Sequence, residues 1–508
     1  LLELTVIVKC ELVPANYSKI RGKMNQENIA ALKQPKAMYL LIAVQMWESF
    51  SYYGMRAILV LYMIHYLKFS DHQAFSIYAI YIGLVEGLGI FGGQLADKVF
   101  GMRNSIYVGG FIIAFGHGVM AFPYYDQAIY IGLAAISVGA GLFRTSTAGL
   151  LGAFYKENDL RRDAGFTYYY VGLNLGAFLA TILCVHVSQL YGWHYGFSLA
   201  GFGMVIGMLN LHMFRALLED KGLTSTKLTP MFCYKTAAIS LAVILAISVF
   251  IFFHETTIYI LTAFIIAMLC RVYWIGISLQ PVQRNKVHLA LLAILLAAIF
   301  YSFEGQIGSS LIIFGDRFSD KIFFGLNIDV ASLTSVNPIV VLLFGPIVAF
   351  LLELYEVKVR HPINIFIKIS LAFIVQAAAF IVLYLYSVGV GYVSAEIIAL
   401  VFGVIALSEL FIGPAVYSYA SEAAPQTMRA MMMGAVMLGF ALSNVSSGFV
   451  SEMMAFDSNS SPDINVYSLS FMKIGVACAI FAGVILFLKT AHVGHKVYKK
   501  RKKSNSDF

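Results

Sequence analysis

Charge is scarce in this sequence. Of its 508 residues, 12% are Asp, Glu, Lys or Arg and 60% are hydrophobic, and the mean hydropathy is +0.79. Soluble domains carry about 25% charged residues, so a water-exposed globular fold is excluded. Cysteine is sparse too. Cys10, Cys184, Cys233, Cys270 and Cys478 are scattered without a Cys-x-x-Cys spacing, which excludes a disulfide framework and a cysteine zinc site. The formal net charge of +8 sits mostly in the end segments and short loops, so no nucleic-acid partner is expected. No Ser-His-Asp set, metal-ligand cluster or phosphate loop stands out, so neither an enzyme nor a bound cofactor is expected. The opening stretch, residues 1–8, is apolar but too short for a secretory signal and lacks its basic lead. Met24 opens a polar leader, and residues 1–23 are expected to lie upstream of the natural start.

Long apolar runs are what the chain has in abundance. Runs near the length needed to cross a bilayer occupy 37–67, 74–96, 105–122, 128–154, 164–190 and 195–214, then 232–253 and 257–279. Six more occupy 287–314, 331–354, 363–386, 393–420, 430–454 and 466–488. The fold class is therefore an all-α polytopic membrane protein with fourteen transmembrane helices. Cations gather in alternate loops: Lys98 and Arg103, Lys156, Arg161 and Arg162, Lys221 and Lys227, Arg284 and Lys286, Lys358 and Arg360, and Arg429. The tail adds a basic cluster over 496–503. This bias places both termini in the cytoplasm of an inner (plasma) membrane. The expected domains are a cytoplasmic segment 1–36, a six-helix bundle 37–214, a connector 215–286 with two extra helices, a second six-helix bundle 287–488 and a basic tail 489–508. Two facing bundles suit a carrier whose substrate binds near the midplane between them. The bilayer is a partner by necessity, and a monomer is expected.

The first span carries charge where lipid would forbid it. Counting helically from Gln45, the residues Glu48, Ser49, Tyr52 and Arg56 share one face, while Met46, Trp47, Phe50, Ala57 and Ile58 lie opposite. A charge facing lipid at mid-membrane costs about 2.5–3.5 kcal/mol on insertion scales. The polar face is therefore expected to line a wet cavity, the alternative being a stripe that only holds helices together. After the second span comes Gly92-Gly93-Gln-Leu-Ala-Asp97-Lys-Val-Phe-Gly-Met-Arg103. Its glycines allow close helix approach, and Asp97 and Arg103 can tie neighbouring helix ends. This stretch resembles the gating-loop signature of the major facilitator superfamily, and that resemblance implies the fold, with Gly93, Asp97 and Arg103 as gating residues.

The first-span stretch, Gln45-Met-Trp-Glu48-Ser49-Phe-Ser-Tyr52-Tyr53-Gly54, resembles the Glu-x-x-Glu-Arg-Phe-x-Tyr-Tyr-Gly motif of the proton-dependent oligopeptide transporter family. Gly139-Ala-Gly-Leu-Phe-Arg144 is similar to that family's Gly-x-Gly-x-Phe-Lys. Tyr169-Tyr170-Val-Gly-Leu-Asn174-Leu-Gly176 is similar to its Phe-Tyr-x-x-Ile-Asn-x-Gly, and Tyr191-Gly-Trp193, Asn337-Pro338 and Glu409 through Pro414 follow in order. The likeness runs over nearly the whole chain after Met24. The departures bear on mechanism. One motif carboxylate is the amide Gln45, which takes up no proton, and the motif Arg is Ser49. The motif Lys is Arg144, which stays charged and favours bidentate carboxylate binding. In Phe303-Glu304-Gly305-Gln306-Ile-Gly-Ser-Ser310 the acidic residue stands one place before the family's Glu. That offset rotates it by about 100°, so Glu304 either enters the cavity from another angle or faces another helix. Glu86, among Gly83, Gly87 and Gly89, is either a relocated protonation site or a structural hydrogen bond. His117 and His186 are intramembrane and fit packing roles better than proton transfer.

The resemblance implies uptake of di- and tripeptides with protons by alternating access. Arg56 and Arg144 are the candidates for the peptide carboxylate and Glu409 for its amine. Asn174, Asn337, Tyr52 and Tyr53 are candidates for backbone groups, and Glu48, Glu86 and Glu304 for proton coupling. Two alternatives remain: a carrier of peptides or other organic anions that is uncoupled or coupled differently, and a membrane receptor that transports nothing.

Overall fold

The computed structural model describes residues 34–504 apart from 123–124, 156–160, 224–228, 360–362, 424, 426–427 and 457–460. The expected start at Met24 and the segment before it lie outside the described residues. Fourteen long helical segments are described. The first six are α1 (Lys36–His65), α2 (Asp71–Gly87) continued by α3 (Gly89–Leu95), α4 (Met102–Met120), α5 (Ala128–Gly152), α6 (Arg161–Tyr191) and α7 (Trp193–Met213). The extra pair is α8 (Pro230–Phe252) and α9 (His254–Ile277). The last six are α10 (Pro281–Glu304) continued by α11 (Ser310–Phe318), α12 (Val336–Val359), α13 (Ile365–Ser387), α14 (Ala395–Ala423), α15 (Arg429–Ser451) and α16 (Ile464–Ser504).

Twelve of these are long and apolar enough to cross a membrane, so the chain is a multi-pass membrane protein. The two that fall short are α1, diluted by its polar face, and α4, which holds Arg103, Asn104 and His117 within nineteen residues. Local signals start the helices. Ser70 and Gln73 form a reciprocal capping box at α2, and the Thr229 hydroxyl accepts from the Phe232 amide ahead of Pro230. Gly192, at φ +104°, joins α6 to α7 without a loop.

The first six helices pack mainly on one another, α1 against α6 and α7, and α5 against α4, α3 and α2. In the last six, α13 packs on α16 and α14, and α10 on α15 and α14. The halves meet where α2 lies along α15 and α6 along α12. The extra pair sits outside: α8 lies on α5, and α9 spans the joint by touching α2 and α15.

One expected span is not continuous. The stretch 287–314 breaks into a 3-10 turn at Gly305–Gly308. Two glycines in four residues weaken the α-helix there. Buried Gln306 replaces the missing ladder: its Nε2 donates to the carbonyls of Ser302 (2.9 Å) and Ser447 (3.1 Å), and its Oε1 accepts from Ser310 (2.7 Å) and Ser451 (2.8 Å). The break presents Gly308 to Tyr78 and Arg56, where an added Cβ would strike the tyrosine hydroxyl.

Candidate functional site

The polar face of α1 is the spine of the interior. Gln45, Glu48 and Ser49 are buried, as is Tyr52 one turn on. The opposite face supplies Met46, Trp47 and Phe50 to a wholly apolar crevice shared with α6 and α7. Glu48 has both carboxylate oxygens engaged. Arg144 of α5 donates Nε–H to Oε1 at 2.8 Å, and Gln45 donates to Oε2 at 2.6 Å. The same guanidinium reaches Glu86 of α2 through Nη1 at 3.1 Å. It also lies over the Tyr52 ring, 4.1 Å from the centroid. Tyr169 of α6 donates to the Gln45 carbonyl at 2.6 Å. The amide at position 45 therefore joins Tyr169 to Glu48.

The second cluster surrounds Arg56, eight residues further and about 12 Å along the helix axis. Arg56 donates Nε–H to Tyr78 of α2 at 2.6 Å. Its guanidinium lies 5.9 Å from the ring centroids of Tyr53 and Tyr78. Glu304 is the last residue of α10, and the turn that follows brings Gly308 to Arg56. Glu409 of α14 is hydrogen-bonded by Asn337 of α12. Tyr301 rests its hydroxyl on Gly413, where no side chain intervenes.

Other expected residues stand differently. Asn174 spends its amide N–H on the Tyr170 carbonyl of its own helix, at 2.9 Å. Buried His117 meets Ser51 at 2.7 Å, and His186 is exposed on α6. In the gating stretch, the close approach belongs to Gly92, whose Cα lies against the Gly141 carbonyl, whereas a side chain at Gly93 would make only ordinary contact with Thr145. Arg103 donates to the carbonyls of Glu219 and, at 2.6 Å, Lys221, beyond the end of α7. The side chain of Asp97 lies outside the described residues. Among the described residues no group of three His, Cys, Asp or Glu could hold a metal ion.

Sequence reasoning gave no role to Tyr78, which nothing separates from the other tyrosines in the runs, or to Tyr169, which it quoted only within a motif. It also missed a set of ties at one face. Arg317 grips Asp71 with two bonds of 2.7 Å and donates to Tyr467 at 2.9 Å. His65 meets Asp316 at 2.6 Å, His72 meets Glu452 at 3.3 Å, and Gln189 donates to Asp329 at 2.7 Å. The described ion pairs that join the first half to the second all lie at this face. The only available signal was opposite charge at span ends, Asp71 against Asp316-Arg317.

A profile of the POT family (PTR2) matches residues 103–469. Dipeptide and tripeptide permease A of Citrobacter koseri is 29% identical over 476 residues, covering 90% of this chain and 93% of that protein. The permease of the same name from Escherichia coli is 29% identical over 482 residues, covering 92% and 95%. A solved peptide transporter POT in complex with alafosfalin superposes with a TM-score of 0.79 at 29% identity, covering 92% of this chain and 99% of that one. A POT family transporter in complex with 5-aminolevulinic acid gives 0.77 at 25% identity, covering 89% and 96%. The profile matches well over half of the chain and includes Arg144, Glu304 and Glu409, so this protein belongs to the POT family of membrane transporters.

Proposed function

We propose that this protein carries di- and tripeptides across the cytoplasmic membrane, coupled to protons, by rocking the halves 37–214 and 287–488 about the cleft between them. One observation carries this: the interior sets Arg144 against Glu48 and Glu86, at 2.8 and 3.1 Å, with Arg56 held by Tyr78 further along the same helix face. Fixed charges of both signs complement a zwitterion, whose carboxylate suits Arg56 or Arg144 and whose amine suits Glu409. Asn337, Asn174, Tyr52 and Tyr53 serve the backbone. The relatives named dipeptide and tripeptide permeases support the same substrate.

All fourteen helices cross the bilayer in this proposal, with both termini cytoplasmic as the cation bias requires. The face tied by Arg317 and Asp71 is then external, and the conformation is closed to the outside. The loop with Gly93, Asp97 and Arg103 braces the cytoplasmic side. Glu48 is the first coupling carboxylate, because Arg144 and Gln45 hold it in place. Glu304 and Glu86 are the next. A monomer suffices, since each chain holds a whole cleft. The neutral Gln45, already spent on Glu48 and Tyr169, favours a second reading in which coupling is weak and peptides equilibrate. The test is uptake of a labelled dipeptide by proteoliposomes. Saturable uptake, competed by unlabelled di- and tripeptides and not by tetrapeptides, is expected. Binding without accumulation would favour a receptor.

A further inference from the structure

Among the described residues four carboxylates stand in the interior: Glu48 and Glu86 on Arg144, and Glu304 and Glu409 on α10 and α14. The four carboxylates are not equivalent. Glu48 is sealed, 2% exposed, with both oxygens bonded. Glu409 is engaged by Asn337 and is the candidate for the peptide amine. Glu86 is different. Its side chain is 32% exposed, and Arg144 takes only its Oε1, at 3.1 Å against 2.8 Å for the bond to Glu48. Among the described residues nothing bonds its Oε2. Gly83, Gly87 and Gly89 surround it on α2 and α3, so its own helix offers little to crowd it. From the other half α15 packs along α2 beside it, with Ala441 against Gly87, and the neighbouring Phe440 is stacked on Tyr417 at 5.5 Å.

We propose that Glu86 and the Tyr417–Phe440 wall form a subsite for a cationic peptide side chain. The ammonium of a lysine or the guanidinium of an arginine meets the free Oε2, and its methylene stem lies along the aromatic rings. A proton on Glu86 neutralises it and releases the cation, so the two occupants alternate. The inference rests on the peptide-transport proposal and sharpens it to substrates bearing a lysine or arginine side chain.

The test is competition against labelled Ala-Ala uptake in proteoliposomes. Ala-Lys is compared with Ala-norleucine, which keeps the stem and drops the ammonium, and with Ala-Glu. A charge-assisted hydrogen bond predicts that Ala-Lys inhibits at about tenfold lower concentration than Ala-norleucine, with Ala-Glu weakest. In Glu86→Gln the Ala-Lys to Ala-norleucine ratio should fall to about one, and in Glu86→Asp the preference should partly survive. If Glu86→Gln transports too poorly to assay, the rise in Tm of the purified protein with each dipeptide reads the same ratio. An Ala-Lys preference absent from the wild type, or intact in Glu86→Gln, overturns the subsite. Absence of Ala-Ala uptake itself would instead overturn the peptide-transport proposal, and the subsite with it.

Discussion

Arg317→Gln should open the face that Arg317 now closes. The Asp71 carboxylate is 2% exposed and Arg317 17%. Both Nη groups bond the carboxylate at 2.7 Å, and the Phe456 amide adds a third bond at 3.0 Å. Removing one partner of such a buried pair costs about 3–5 kcal/mol, because the other charge stays desolvated. That penalty exists only while the face is shut. Once the halves part, Asp71 meets water and the penalty vanishes. The equilibrium should therefore move toward the open form by about 3 kcal/mol, or roughly a hundredfold. His65–Asp316 and His72–Glu452 are the more exposed ties and offset little of it. The assay is the distance distribution between spin labels placed on α2 and α11, one on each side of the face. A long-distance population should grow in Arg317→Gln and recede in Asp71→Asn/Arg317→Gln, where no charge is left buried. Identical distributions in all three proteins would refute the gate.

Three further perturbations have definite expected outcomes. Arg144→Met leaves sealed Glu48 without its counter-charge, so Tm should drop by the equivalent of about 3–5 kcal/mol, and adding Glu48→Gln should recover part of it; a Tm unchanged in Arg144→Met contradicts the geometry. Gly92→Ala puts a Cβ into the Gly141 carbonyl, which should cost about 1–3 kcal/mol, whereas Gly118→Ala, with nothing within 4 Å of the new methyl, should leave thermal unfolding in detergent nearly unchanged. Gln306→Leu strips five bonds from the break between α10 and α11 and leaves the buried Ser310 hydroxyl without its Gln306 acceptor; a lower Tm and faster amide exchange across 302–310 are expected, and wild-type exchange there would show that the turn holds without them.

Helical periodicity made the first half of the site readable. Gln45, Glu48, Ser49, Tyr52 and Arg56 are three or four residues apart, so their convergence on one face follows from the sequence alone. Glu304 marks where that logic stops. An offset of one residue predicts a rotation of about 100°, but the α-helix ends at Glu304, so no period says where its carboxyl goes. Only the fold shows that the turn after it runs to Arg56, through Gly308. Arg103 shows a different limit. Its charge suggests an acidic partner, yet it donates to main-chain carbonyls past α7, and carbonyls have no signature in sequence. His65 and Asp316 are 251 residues apart, and a contact at that separation leaves no local pattern. Gln45 was legible as a loss of charge but not as the amide that joins Tyr169 to Glu48.

Proton coupling through Glu48 is the central claim, and one measurement addresses it most directly. Wild type and Glu48→Gln are reconstituted in liposomes, and labelled dipeptide uptake is followed with and without an inward proton gradient, alongside exchange at equal pH. The account predicts accumulation above equilibrium in the wild type only when the gradient is present. It predicts that Glu48→Gln loses accumulation and keeps exchange. Gradient-driven accumulation that persists in Glu48→Gln would contradict the claim and pass the role to Glu304 or Glu86.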